Sequence, residues 1–164
     1  MGKQERELMI EKLIRDYGND VLRLAFMYLK DKYLAEDAFQ EVFIKVYHNW
    51  DNFRNESSEK TWIIRITINV CKDMMKNNWF KKVSFYSFED IYNGEVSNNV
   101  ADEIEKKLLF EEILRLPDKY KEVIILYYYQ GFSVSEIATI LETTTGTVGS
   151  LLSRARDMLK KKLR

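Results

Sequence analysis

From Ala35 to Trp50 the apolar side chains fall on one helical face without a gap. Ala35, Ala38, Phe39, Val42, Phe43, Val46, Tyr47 and Trp50 follow the i, i+3, i+4, i+7 spacing. At about 100° per residue such a segment is an amphipathic helix with one stripe to bury. The opposite face carries Asp37, Gln40, Glu41 and Ile44. Singly exposed apolar residues are common, so an isoleucine among carboxylates fits an ordinary surface helix. It equally fits a docking face for a basic partner, with Ile44 as the apolar contact.

The 164 residues are 46% hydrophobic and 32% charged, enough apolar side chain for one ordinary domain or two small ones. Cys71 is the single cysteine and His48 the single histidine. Together they leave no internal disulfide, no cysteine-based metal site and no hydrolytic triad with a histidine to spare. No apolar run approaches the ~20 residues needed to span a bilayer. The N-terminus, MGKQERELMIEK, is charged throughout, unlike a secretory signal. A cytoplasmic chain is expected, with no cofactor, no metal and no small-molecule substrate.

Lys and Arg number 26 and Asp and Glu also 26, which excludes a uniformly basic nucleic-acid coat. The sum hides a pattern. Residues 60–82 carry six cations against Asp73 alone, and residues 144–164 carry six against Asp157 alone, a net charge of +5 in each. Residues 83–105 hold six acids and no base. Two separated positive patches suit two contacts with a polyanion, each cation near a phosphate releasing condensed counterions. Most charge runs, however, are only solvated helix faces. The acidic stretch also concentrates turn formers at Asn93-Gly94 and Ser97-Asn98-Asn99. It therefore reads as a flexible linker between two small helical domains, 1–82 and 106–164.

Residues 61–71, TWIIRITINVC, point two ways. Ile64 to Val70 alternates almost perfectly, and β-branched residues favour strands. A helix would instead group Thr61, Arg65, Asn69, Lys72 and Lys76 on one polar face, with Ser57 or Ser58 as cap and Glu59 in the first turn. The preceding loop, WDNFRNESSEKTW, interleaves Trp50, Phe53 and Trp62 with Arg54, Asn55 and Lys60. Such aromatics can stack on unpaired bases while the polar groups read their edges. Taken singly, Trp50 and Trp62 also suit core positions at helix ends.

In the C-terminal half, Pro117 separates two helices within 106–130, and core packing accounts for at least one of Tyr127, Tyr128 and Tyr129. Ser133 and Glu136 then form an S-x-x-E capping box. Ile137, Ala138 and Leu141 mark the inner face of a short helix, and Thr143 to Gly146 supply a turn and the next N-cap. Val148, Leu151, Leu152, Ala155 and Leu159 mark the buried stripe of a second helix. This is the pattern of a helix-turn-helix, whose second helix enters the major groove with base edges met near its start. Thr145, Gly146, Thr147, Ser150, Ser153 and Arg154 are the candidates to face duplex DNA. The basic residues that follow would lie near phosphates.

The order of these motifs resembles a bacterial sigma factor of the extracytoplasmic-function type, over nearly the whole chain. YLKDKYLAEDAFQEVFIKVY resembles the family's second conserved region, which binds the β′ clamp helices of core RNA polymerase. The resemblance gives that role to Asp37, Gln40, Glu41 and Ile44. FRNESSEKTWIIRITINVCKDMMK resembles the stretch that opens the promoter −10 element and captures non-template bases. It implies a helix from Thr61 onward and −10 contacts at Phe53, Arg54, Asn55, Lys60, Trp62, Arg65, Asn69, Lys72 and Lys76. LPDKYKEVIILYYYQGFSVSEIATILETTTGTVGSLLSRAR resembles the fourth region, which binds the −35 element and the β flap. The chain departs from the family at Glu142, where Gly is usual in the turn, at Gly149, where a base is common, and at Leu151, often Arg. Ile68 and Lys76 also stand where Arg is frequent.

The resemblance implies an all-α, two-domain initiation factor with no catalytic residues of its own, since polymerase performs nucleotidyl transfer. It also implies an anti-sigma partner, often membrane-anchored. The residues alone leave two alternatives, a stand-alone helix-turn-helix regulator and a helical adaptor without a nucleic-acid role. No P-loop, paired metal-ligand motif or Gly-rich phosphate cradle supports an enzyme.

Overall fold

A computed structural model describes residues 1–77 and 100–163. Helices form throughout these residues, in two compact units whose boundary falls between Ser87 and Phe88. The first unit contains α1 (Lys3–Leu29), α2 (Lys32–Asn49), a 3-10 turn (Trp50–Asn52) and α3 (Glu59–Asn77). The second contains α4 (Val100–Leu114), α5 (Asp118–Ile124), a π turn (Ile125–Tyr129), α6 (Val134–Ile140) and α7 (Thr145–Lys162). Among the described residues there is no strand.

The α1–α2 corner is made by Lys30, left-handed at φ 56°, and by Asp31, whose carboxylate accepts from the N–H groups of Tyr33 and Leu34 at 2.9 and 3.0 Å. This N-cap satisfies two of the donors that a helix start leaves orphaned. The helices approach closely at Gly18, where an added Cβ would stand 3.3 Å from Cε2 of Phe39. Val21, Leu24 and Ala25 of α1 and Val42 and Val46 of α2 are sealed from water.

α3 resolves the ambiguous segment as a helix. Ile63, Ile64, Thr67, Ile68 and Cys71 are buried at helical spacing, and Val70 is buried as well. α3 packs against both α1 and α2. A helix buried on two sides needs apolar residues beyond a single stripe, and that requirement produces the strand-like alternation. Tertiary burial then overrides β propensity. Burial also pushes the Cys71 thiol up from its ordinary 9.0 to about 12.

In the second unit α6 and α7 form the helix-turn-helix, with Ala138 buried between them. Two inner-face positions differ from the expected pattern. Leu141 is only half-buried and Ile140 takes its place, because α6 ends at Ile140 and Leu141, at ψ 1°, has left the helical period. Leu151 is half-buried at the edge of the stripe that Val148, Leu152, Ala155 and Leu159 form. Pro117 stands at the N-cap of α5 rather than inside its first turn. The π turn spreads the three tyrosines: Tyr127 and Tyr129 are half-buried and Tyr128 is exposed. None is fully buried, although Tyr129 packs edge-on against the core ring of Phe110 at 5.4 Å.

Residues 83–99 of the expected linker, with Lys81, Lys82 and Arg164, lie outside the described residues. Residues 100–105, read from the sequence as the linker's end, form the first turns of α4, where Asp102 suits the positive end of the helix dipole.

Candidate nucleic-acid and polymerase-binding surfaces

Asp37, Gln40, Glu41 and Ile44 all lie exposed on the outward face of α2, Ile44 at 52%. Glu41 meets Lys45 one turn on at 4.0 Å, a loose surface pair that leaves its charge available. A groove of about 480 Å³ runs beside this face, lined by Leu34, Asp37, Glu41, Val70, Asp73 and Met74 among others. Acids stand over an apolar floor there, an arrangement suited to a helix with basic and apolar faces. Asp73 comes from α3. Spacing within one helix says nothing about its neighbour, so the α2 pattern gave no sign of it. Tyr33, 76% exposed, lies on the same helical line as Asp37 and Ile44.

At the far end of α2 the loop aromatics form one cluster. Phe53 and Trp62 have ring centroids 5.0 Å apart, Trp50 and Phe53 5.5 Å, and Trp50 and Trp62 6.0 Å. All three are half-buried, so each ring serves the fold with one part and meets solvent with another. Arg54 and Asn55 are exposed, and Asn55 turns the chain at φ 57°, a conformation asparagine tolerates well.

Ser58 caps α3. Its hydroxyl oxygen accepts from the N–H of Thr61 at 3.1 Å, and its O–H donates to Thr61 Oγ1 at 2.9 Å. Thr61, only 3% exposed, therefore leaves the expected polar face and belongs to the cap and core. On that face Asn69, Lys72 and Lys76 are exposed and Arg65 is half-buried. Lys60 is half-buried and lies 3.9 Å from Asp20. Ile68 is core, so the isoleucine there takes no cation off the surface. A hollow of about 320 Å³ between α2 and α3 is lined by Lys45, Asn49, Asn52, Trp62, Ile66 and Asn69. Carboxamides both donate and accept, and beside an indole they match the edges and face of an unstacked base. Lys45, Asn49 and Asn52 carry no sign of this role in the sequence, because the hollow exists only where α2 and the turn after it meet α3.

In the helix-turn-helix the capping box is complete. Ser133 N–H donates to Glu136 Oε1 and Glu136 N–H to Ser133 Oγ, both at 3.1 Å. Thr144 caps α7, accepting from Thr147 N–H at 3.1 Å, with the two hydroxyls 2.9 Å apart. Thr145, Gly146, Thr147, Ser150, Ser153 and Arg154 are all exposed along the first three turns. The hydroxyl of Thr147 is thus already engaged in the cap. Glu142, in the turn, is left-handed at φ 55°, which accounts for glycine being usual there. Gly149 is exposed, with nothing within 4 Å of an added Cβ. Arg156 faces elsewhere: its Nε donates to the Tyr128 hydroxyl at 2.7 Å, beside an apolar groove of about 560 Å³ lined by Leu109, Ile113, Leu159 and Leu163 among others. No described helix is long and apolar enough to cross a membrane.

Comparison with known proteins follows the same division. Residues 13–81 match the family model for sigma-70 region 2, and residues 106–159 match that for sigma-70 region 4. The chain is 33% identical over 162 residues to the ECF RNA polymerase sigma factor SigW of Bacillus subtilis, covering 90% of this chain and 85% of the relative. The chain belongs to the sigma-70 family, in its extracytoplasmic-function branch. To SigM of the same organism this sigma factor is 32% identical over 160 residues, covering 93% of this chain and 94% of the relative. Its fold is also that of the sigma factor RpoE solved in complex with the anti-sigma factor NepR from Bartonella quintana. The TM-score is 0.70 at 23% identity, covering 93% of this chain and 94% of that one. The protein is a promoter-recognising alternative sigma factor, and neither a stand-alone regulator nor a helical adaptor is favoured.

Proposed function

We propose a division of labour along this sigma factor. Residues 1–82 form the part that meets core polymerase and the −10 element, the linker runs from 83 to the start of α4 at Val100, and 100–164 form the part that meets the −35 element and the β flap. The exposed acidic face of Asp37, Gln40, Glu41 and Ile44 docks on the β′ clamp helices. Phe53, Trp62 and the exposed polar line Asn69, Lys72 and Lys76 hold the opened non-template strand, with Arg54, Asn55, Lys60 and Arg65 alongside. Thr145, Gly146, Thr147, Ser150, Ser153 and Arg154 meet the −35 major groove, and the trailing lysines meet phosphates. The factor performs no chemistry itself, acts in the cytoplasm, and is held in reserve by an anti-sigma protein, as the RpoE relative is bound by one in its solved complex.

The observation that carries this reading is the single short α2. Its outward face is acidic, and Trp50 at its C-terminal end packs against Phe53 and Trp62, so the helix links a polymerase surface to a single-strand surface. Run-off transcription with purified core polymerase on a promoter library tests it. New initiation sites should appear when the protein is added. Co-purification with core without any new initiation would defeat the proposal.

A further inference from the structure

The loop that carries Phe53 is short, polar and largely exposed, and a loop of that kind does not hold aromatic rings in a fixed reading position unaided. Its two ends are gripped by side chains of one helix. At the N-terminal end, Arg6 of α1 donates through one guanidinium nitrogen to the Asp51 carboxylate at 2.6 Å and through the other to the Tyr47 carbonyl at 2.9 Å. Its guanidinium carbon also lies 5.6 Å from the centre of the Tyr47 ring. Tyr47 is in the last turn of α2, where carbonyls lack helical partners and a cation is favoured by the dipole. Asp51 is in the 3-10 turn between Trp50 and Phe53. At the other end, Tyr17 O–H donates to the Glu59 carboxylate at 3.3 Å and Asp20 lies 3.9 Å from Lys60 Nζ, both partners being in the first turn of α3.

We infer that α1 is a brace for the −10-reading loop and that Arg6 is its principal positioning residue. Arg6 touches no base. It fixes the turn that orients Trp50 and Phe53, and it does so with a forked donor set that a lysine cannot reproduce, since an ammonium is a point charge on a flexible stem. The side chain of Arg6 is 18% exposed but that of Asp51 is 66%, so the bond to the Tyr47 carbonyl is the better shielded of the two contacts. The contacts at Tyr17 and Asp20 are longer and serve as the second, weaker grip. This inference rests on the assignment of the Phe53–Trp62 cluster to the −10 strand.

The test uses holoenzyme assembled from core polymerase and the full chain, on a promoter recovered by the run-off screen, with permanganate reactivity of −10 thymines as the readout of opening. Arg6→Ala should slow opening by about tenfold, the factor that one lost charge-assisted contact carries, and should flatten the discrimination between the selected −10 sequence and its single-base variants. Core affinity and dependence on the −35 element should stay as they are. Arg6→Lys should recover only part of the rate. Trp62→Ala is run in parallel to separate the two layers of the argument. Normal opening by Arg6→Ala while Trp62→Ala is defective would overturn the brace and leave the −10 assignment standing. Normal opening by both would remove the −10 assignment and the brace with it. A loss of core affinity in step with opening would make Arg6 a residue of general stability and would likewise overturn the inference.

Discussion

Phe53 lies on Trp62 with ring centroids 5.0 Å apart and 35° between the planes, although eight residues of polar loop and helix start separate them in sequence. Both rings are half-buried, and Trp50 closes the cluster from the end of α2.

If this cluster is a stacking platform, Phe53→Ala should weaken holoenzyme binding to single-stranded −10 DNA by about ten- to hundredfold, as the loss of one base–aromatic stack does. Fluorescence anisotropy of a labelled non-template oligonucleotide measures this. A fall in thermal stability with unchanged oligonucleotide affinity would instead make the cluster a packing feature.

Asp37 and Glu41 are exposed on α2, so changing both to lysine should alter stability by no more than about 0.5 kcal/mol. Reversing the sign of the face should abolish association with core polymerase. Co-purification, read beside circular dichroism, separates the two effects, and unchanged core affinity would remove the assignment of that face.

Gly149 is helical, exposed and free of neighbours, so Gly149→Ala should stabilise the second unit by about 1 kcal/mol. Gly149→Arg should place a new cation one turn from Gly146 and Ser153. It should tighten −35 duplex binding and steepen its salt dependence by about one unit of log–log slope. A salt titration of duplex affinity with both variants distinguishes helix stabilisation from a new phosphate contact.

Glu142 sits at φ 55°, where a side chain is disfavoured by roughly 1–2 kcal/mol. Glycine relieves that cost but makes the unfolded chain more flexible. Glu142→Gly should therefore gain about 0.5–1 kcal/mol, visible as a higher unfolding midpoint of the second unit.

Cys71 is buried, and its thiol titrates near 12 in the folded chain against an ordinary 9.0. The folded state favours the neutral form. The stabilisation is therefore whole below 9.0 and is lost as pH rises from there toward about 12. Tyr17, raised above its ordinary 10.0 first by burial and then by Glu59, acts in the same direction. Denaturant unfolding between about pH 8 and pH 10 should show a fall in stability that Cys71→Ala reduces.

Much of this could be read from residue order. The gapless stripe from Ala35 to Trp50 located α2 and its outward face, and Ser133 with Glu136 located the start of the helix-turn-helix. What escaped depended on contacts between elements. Asp73 joins the α2 groove from α3, and Arg6 meets Asp51 across 45 positions, which no local period can report. Thr61 reads as surface in the sequence because a hydroxyl is polar whether it faces water or closes a cap. Leu141 reads as inner face because the apolar period continues one residue past the end of α6. The strand-like run in α3 misleads locally, since burial against two helices imitates the alternation of a pleated sheet.

The sealed position of Cys71 also decides how this molecule can be observed. Its sulfur is enclosed between helices and stays protonated at neutral pH, so thiol reagents should pass it by in the folded chain. A single cysteine introduced at an exposed position outside the proposed interfaces, such as Lys12 or Lys107, would then take a fluorophore or spin label almost alone. The movements of each unit during initiation could be followed on a chain that keeps its native thiol.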